Sequence, residues 1–561
     1  MKFSEMPYAR TDVNAFRAEL NTVAETIRTA SCAADQAAAY RRFGALADEF
    51  YTLASLVSVR HSIDTRDPFY DGEQEFFDEV LPSVEESVQA ITRALLDSPY
   101  RAELEGELGA LLFTNFEISA RSFTPAIMEL MQEENKLTSA YEKLRAGAMV
   151  EWEGKSIPLP MLGPHKNSPD RAVRRLAFER EGAFYDANRA ELDEIFDKLV
   201  KCRNKQARML GHENYIPLAY DRLGRNCYGP AEVAAFREQI RRDIVPVVDQ
   251  IRADQAKRIG VDSLAIWDND FMFPDGNATP KGSAEDILAA GREMYHALSP
   301  ETAEFIDFMY EGELLDVLSR EGKAAGGYCT EFSLYKAPFI FSNFNGTAGD
   351  VDVLTHEAGH AFAAYRAHRN GTPSYYRDPT MEACEVHSMT MEFLTEAYHE
   401  KFFGEETAKY KLGHCADALT FIPYGCMVDD FQHRMYENED LTPDQRNRVW
   451  QELEAVYRPY LTFGDAPCFA RGATWQRQLH IYLYPFYYID YCMAQAMAFQ
   501  FWCLAMEDPA EAWRRYLAFV DLAGSRTFED LVRSAHMRLP YDPGCMKDVA
   551  HRIRAWLDAN G

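Results

Sequence analysis

At 561 residues and 47% hydrophobic content, the chain is long enough to build a large core and two packed lobes. A net charge of −29 with no basic stripe argues against nucleic acid and against an anionic membrane surface as partners, so most of these carboxylates are expected on a solvated surface. No stretch approaches the roughly twenty apolar residues that span a bilayer, Met1 to Tyr8 lacks a secretory apolar run, and eleven scattered cysteines without a Cys-x-x-Cys pair suit reduced thiols, so a cytoplasmic protein is expected.

The chain reads as helical from its start, with Phe16, Leu20, Val23 and Ile27 at helical spacing. Met161 to Asn167 is the best candidate boundary. Ser168-Pro169-Asp170 then signals a helix start, with Ser168 as the capping hydroxyl and Pro169 in the first turn. Leu192, Ile195, Phe196 and Leu199 define a helix expected to end before Gly211. No steady internal repeat is visible, which argues against a solenoid.

Further on, Gly326-Gly327-Tyr328 pairs adjacent glycines with an aromatic residue, and Phe339 to Phe344 reads as an aromatic and β-branched strand following Pro338. Either could offer a sheet edge for pairing with an extended peptide. The turn Asn345 to Asp350 follows, and Thr347 or Asp350 is expected to cap the next helix.

That helix carries His356-Glu357-Ala358-Gly359-His360. Side chains four apart on a helix stack one above the other, so His356 and His360 can bind one metal ion, with Glu357 beside them as a base for a water molecule. Leu354, Ala358, Ala361, Phe362 and Tyr365 give the helix an apolar side to bury. Two imidazoles hold zinc weakly, so a third ligand is needed. A metzincin would place Gly and His where this chain has Ala363 and Arg366. The remaining candidates are acids on a second helix from Pro379 to Leu394, whose apolar face is Val386, Met389, Phe393 and Ala397. Glu385 is taken as third ligand, Glu382 or Glu392 as acceptor for an imidazole N–H, and His387 as structural.

Near the end, His480 to Tyr491 packs five tyrosines and a histidine into twelve residues. Phenols are neutral at pH 7 and can donate to a developing oxyanion. Arg471 and Arg477 precede this segment and could bind a terminal carboxylate.

The run from Phe344 to Phe362, with Glu385-x-x-Ser388-x-x-x-Glu392 beyond it, resembles the thimet oligopeptidase and oligoendopeptidase F family of zinc metallopeptidases. Within that family it is most similar to the bacterial oligoendopeptidases of Pz-peptidase type. Gly326 to Cys329, Asp430 to His433 and His480 to Tyr491 look like further family blocks. The resemblance implies a mainly α, two-lobed helical zincin of neurolysin-like shape, with a deep substrate channel and a small β-sheet near the active site. Residues 1–165 would form an N-terminal helical lobe and 166–561 the catalytic region. It further implies one Zn2+ per chain on His356, His360 and Glu385, with Glu357 as general base. His480, Tyr484, Tyr488 and Tyr491 fit the family's His and Tyr donors, though aligning on Tyr491 leaves the His-to-Tyr spacing one residue short of the thimet pattern. Gly326, Gly327 and Tyr328 would form a substrate wall. The expected activity is endopeptidase cleavage of short unfolded peptides. A carboxypeptidase on the same fold, or a zinc-holding peptide binder without catalysis, are the other readings.

Overall fold

The computed structural model describes residues 1–560, and they are overwhelmingly helical with three small sheets among them. Two compact units emerge, each assembled from three stretches of chain. The first comprises Met1–Ala120, Thr279–Thr407 and Ala498–Met537, and the second comprises Arg121–Ala278, Ala408–Met497 and Arg538–Gly561. Compactness therefore groups segments far apart in sequence.

In the first unit, α1 (Val13–Thr29), α2 (Ala33–Ile63) and α3 (Pro68–Leu96) pack through a shared apolar core. Leu20, Val23 and Ile27 are fully buried there against Val57 and Phe77. Asp12 caps α1 through Ala15 N at 3.0 Å, and Asp67 caps α3 through Phe69 N at 2.8 Å. A three-stranded sheet follows, formed by β1 (Leu315–Leu318), β2 (Tyr328–Phe332) and β3 (Ala337–Phe344). β3 lies in the middle, parallel to β1 and antiparallel to β2, with Tyr328 opposite Phe341. The strand starts at Ala337, one residue before the proline rather than after it, because a missing N–H is tolerated at the beginning of a strand. Then come α4 (Ala348–Arg369) and α5 (Met381–Leu394). α5 stops at Leu394, so Ala397 falls in a separate 3-10 turn, Glu396–Tyr398.

The second unit is built on long helices, including Met128–Ala146, Arg171–Ala187 and Arg189–Met209. Its aromatic core sets Phe196 4.7 Å from Trp475, Phe431 5.1 Å from Trp450, and Tyr141 stacked 3.9 Å from Tyr482. The helix expected at Ser168 begins at Arg171, and its cap is Asp170, which accepts from Ala172 N at 2.8 Å. Ser168 Oγ instead accepts from Asp170 N at 3.2 Å. Pro169 keeps the residue before it out of the helical region, and the carboxylate two positions on takes over the cap. The helix from Arg189 ends at Met209, before Gly211. All eleven cysteines are free, and among the described residues no helix is long and apolar enough to cross a membrane.

Candidate active site

The turn into α4 needs a left-handed residue, and Gly346 supplies it at φ 82°. Asp350, inside the first turn, reaches back to accept from Asn345 N at 2.9 Å and Gly346 N at 2.7 Å. Thr347 occupies the cap position, but its hydroxyl donates to Asn345 Oδ1 at 2.6 Å and bonds no helix N–H. Of the two candidates for securing this helix start, Asp350 is the one that does so. The stripe Leu354, Ala358, Ala361, Phe362 and Tyr365 is buried, which leaves His356, Glu357 and His360 half-buried on the other side.

α5 lies so close to α4 that a Cβ on Gly359 would sit 2.6 Å from His387 O and 2.6 Å from Ser388 Cα. This approach delivers Glu385. Its Oε2 lies 3.4 Å from His356 Nε2 and 3.6 Å from His360 Nε2, and the three ligand atoms all fall within 4.8 Å of one another. Zinc bonds of about 2.0–2.1 Å in a tetrahedron space ligand atoms about 3.4 Å apart, so two nitrogens and one carboxylate oxygen fit such an ion here. Ser388 Oγ donates to the same Glu385 Oε2 at 3.1 Å, a fixing role that sequence reasoning did not assign. The offset of three residues was its only signal.

Glu392 Oε1 accepts from His356 Nδ1 at 2.7 Å, which fixes the tautomer and leaves Nε2 turned to Glu385. Between the two candidate acceptors, Glu392 holds the imidazole, while Glu382, fully buried, accepts from Thr380 Oγ1 at 2.6 Å. Replacing Glu392 by Gln should weaken metal binding by about 10- to 100-fold, measured by competition with a chromogenic chelator.

The electrostatics divide these groups. Burial pushes the Glu357 carboxyl up to about 7, against the His356 charge and helped by Glu385 and Glu392. Burial lowers His360 to about 4. Burial also opposes a charge on His356, but hydrogen bonds to Glu385 and Glu392 outweigh it and raise that imidazole well above its ordinary value. His387 is lowered to about 3 by burial and sits edge-on to Phe519 at 5.6 Å. Its carbonyl accepts from Tyr516 Oη at 2.8 Å, so it serves packing.

Of the two expected sheet edges, β3 is the central strand and cannot add a partner, whereas β2, beginning at Tyr328, is an edge strand. Gly326 and Gly327 lead into it, exposed, with Gly326 O accepting from Asn343 Nδ2 at 3.0 Å. Burial, and next the Glu357 carboxylate, push the Cys329 thiol up, which places β2 alongside the Glu357 turn of α4.

The aromatic segment belongs to the second unit. His480 lies on the short helix Leu479–Leu483, Tyr484 follows it with 55% exposure, and Tyr488 and Tyr491 open the helix Tyr488–Glu507. The His480 ring is 4.7 Å from Tyr488, 6.0 Å from Tyr491 and 6.3 Å from Tyr484. Gln478 Nε2 donates to His480 Nδ1 at 2.8 Å, with Tyr424 Oη donating to Gln478 Oε1 at 2.8 Å, so the His480 proton resides on Nε2. Phe486 takes a left-handed φ of 68°, held by Gln432 on its N–H at 3.2 Å, by Arg225 on its carbonyl at 2.6 Å, and by His433 against its ring at 4.9 Å. The Asp430 to His433 block therefore shapes the bend that carries the tyrosines. Arg471 is paired with Asp186, and Arg477 with Glu181 at 2.9 Å. Each arginine is thus ion-paired.

A His-Glu-x-x-His helix whose imidazoles meet an acid from the following helix, within a mainly α body, defines the helical zincin class of peptidases. The chain belongs to peptidase family M3, whose family model matches residues 165–549, with the Peptidase M3 N-terminal domain matching residues 3–123. Among solved structures it is similar to Pz peptidase A, with 46% identity, coverage of 100% of this chain and 99% of that one, and a TM-score of 0.93. A protein from Bacillus anthracis str. Ames assigned as an oligoendopeptidase F shares 40% identity over 100% of this chain and 98% of that one, with a TM-score of 0.88. The curated chromosomal oligoendopeptidase F of Lactococcus lactis subsp. cremoris is 23% identical over 53% of this chain and 49% of its own length. The matched part thus spans about half of that relative.

Proposed function

We propose that this peptidase is a zinc-dependent endopeptidase that hydrolyses short, unfolded oligopeptides in the cytoplasm. The observation that carries the reading is the ligand triangle of His356, His360 and Glu385, backed by Glu392, with Glu357 beside it. His356, His360 and Glu385 would hold one Zn2+, which supplies Lewis acidity that makes water nucleophilic at neutral pH. Glu357 accepts the proton of the attacking water and passes it to the leaving amine. Tyr488 donates a hydrogen bond to the tetrahedral oxyanion, with His480 or Tyr491 assisting, a role that rests on the family resemblance. Tyr488→Phe should therefore lower kcat by about a hundredfold with little change in KM, read from initial rates. The Gly326-Gly327-Tyr328 edge pairs with the extended peptide backbone, which gives affinity without strict sequence preference.

Incubation with a short internally quenched peptide, read by mass spectrometry, tests the proposal. Internal cuts should appear with wild type, vanish on chelation, return with zinc, and be absent with Glu357→Gln. Trimming confined to the C-terminus, abolished by C-terminal amidation, would instead establish a carboxypeptidase.

A further inference from the structure

Within the second unit lies a cavity of about 480 Å³ whose charge is opposite to that of the chain as a whole. Five cations and three carboxylates line it. Two of those carboxylates, Asp270 and Asp417, are exposed to water, and Asp417 faces Arg252 at 3.8 Å. Arg458 is matched by Glu454, through bonds of 2.7 and 2.5 Å. Of the other three cations, two share a single acid and the third is unpaired. Lys166 Nζ and Arg477 each lie 2.9 Å from Glu181 Oε2, and Arg145 has no ion-pair partner among the described residues, resting over the Tyr141 ring at 5.7 Å.

One carboxylate therefore serves two positive groups while Arg145 has none. Removing charge from water is costly unless it is balanced, so an excess of about one positive charge in a partly buried cavity creates a standing demand for an anion. Arg477 and Lys166 already hold Glu181 below the usual carboxylate range against its burial.

The wall of the cavity packs against the His480 cluster. Phe421 on its wall packs 5.4 Å from Tyr488 and 6.4 Å from Tyr491. Tyr424 and Gln478, also on the wall, make the hydrogen-bond chain that ends on His480. A group seated in the cavity is thus separated from the donor cluster by a single layer of side chains.

We propose that this cavity is a carboxylate-binding subsite, in which Arg145, Lys166 and Arg477 receive an acidic group of the peptide substrate. The inference rests on the reading of the chain as an oligopeptide hydrolase. A carboxylate can come from an Asp or Glu side chain or from the peptide's C-terminus, and both would meet the same guanidinium and ammonium groups. Arg145 is the discriminating residue, because its removal leaves Glu181 with its two partners.

The test uses a neutral parent peptide containing Gln, a series with Glu placed singly at each position, and each peptide as free acid and as C-terminal amide. Cleavage is measured with wild type and binding with Glu357→Gln, by fluorescence anisotropy. Either a Glu at one position or the free C-terminus should raise kcat/KM and affinity by about tenfold, the size of one charge-assisted hydrogen bond. Arg145→Gln should bring that ratio to within about twofold, and Arg145→Lys should restore part of it. Lys166→Gln serves as the second variant if Arg145→Gln does not fold. Binding that favours the acidic peptide without any cleavage by wild type would refute the hydrolase reading and uphold the subsite. Normal cleavage with no preference for an acid in any series, or a preference that survives in both variants, would overturn the subsite alone.

Discussion

Glu357→Gln protein should bind one zinc ion per chain and hydrolyse peptides about 10³- to 10⁴-fold more slowly than wild type, with KM nearly unchanged. The substitution keeps side-chain shape but removes the basic oxygen. Glu357 is not one of the three groups that form the ligand triangle, so the metal should remain. Its half-buried position, which raises its proton affinity to about 7, is what a group needs if it is to take a proton at neutral pH and release it to an amine. Elemental analysis of the purified variant and single-turnover kinetics check both halves. Loss of zinc would make Glu357 a ligand instead of a base, and unimpaired turnover would remove it from the chemistry.

Gly359→Ala should cost the protein its tight metal binding, although residue 359 is not a metal ligand. The added methyl would meet His387 O and Ser388 Cα at 2.6 Å, and both are backbone atoms of α5 that cannot rotate away. α5 must then move outward, and it carries Glu385 and the Ser388 hydroxyl that steadies it. Metal–ligand distances tolerate only about 0.2 Å of error, so a displacement of this kind opens the triangle. Overpacking of this sort costs about 1–3 kcal/mol of stability in addition. The variant should lose activity at trace zinc, recover part of it at high zinc, and melt earlier. Gly349→Ala, in the first turn of the same helix, is the control: its methyl would meet Thr347 Oγ1 at an ordinary 3.4 Å, and it should behave as wild type. Wild-type zinc affinity in Gly359→Ala would show that α5 does not depend on this contact.

Much of the candidate site was legible because helix geometry is local. The i, i+4 spacing of His356 and His360 and the apolar stripe beginning at Leu354 need no knowledge of the rest of the chain. The choice between Glu382 and Glu392 was of another kind. They sit three before and seven after Glu385, so both project from the same side of α5, and only the way α5 crosses α4 decides which carboxylate reaches His356. The sheet repeats the lesson. Phe339 to Phe344 reads equally well as an edge or a centre, and only pairing with both Leu315–Leu318 and Tyr328–Phe332 makes it central and leaves β2 as the edge. The cap at Asp170, expected at Ser168, was a two-residue miss between neighbouring good capping residues.

By itself, then, the amino-acid order determined which side chains are candidates for the chemistry and on which helices they stand, since periodicity and capping act over a few residues. Tertiary structure alone decided that Gly359 must lack a side chain, that Glu392 orients His356, and that Lys166 and Arg477 meet on one Glu181 in a cavity that Arg145 also lines. Those relations join segments tens to hundreds of residues apart. They arise from close packing of helices and from the cost of burying unmatched charge, and no local spacing encodes either.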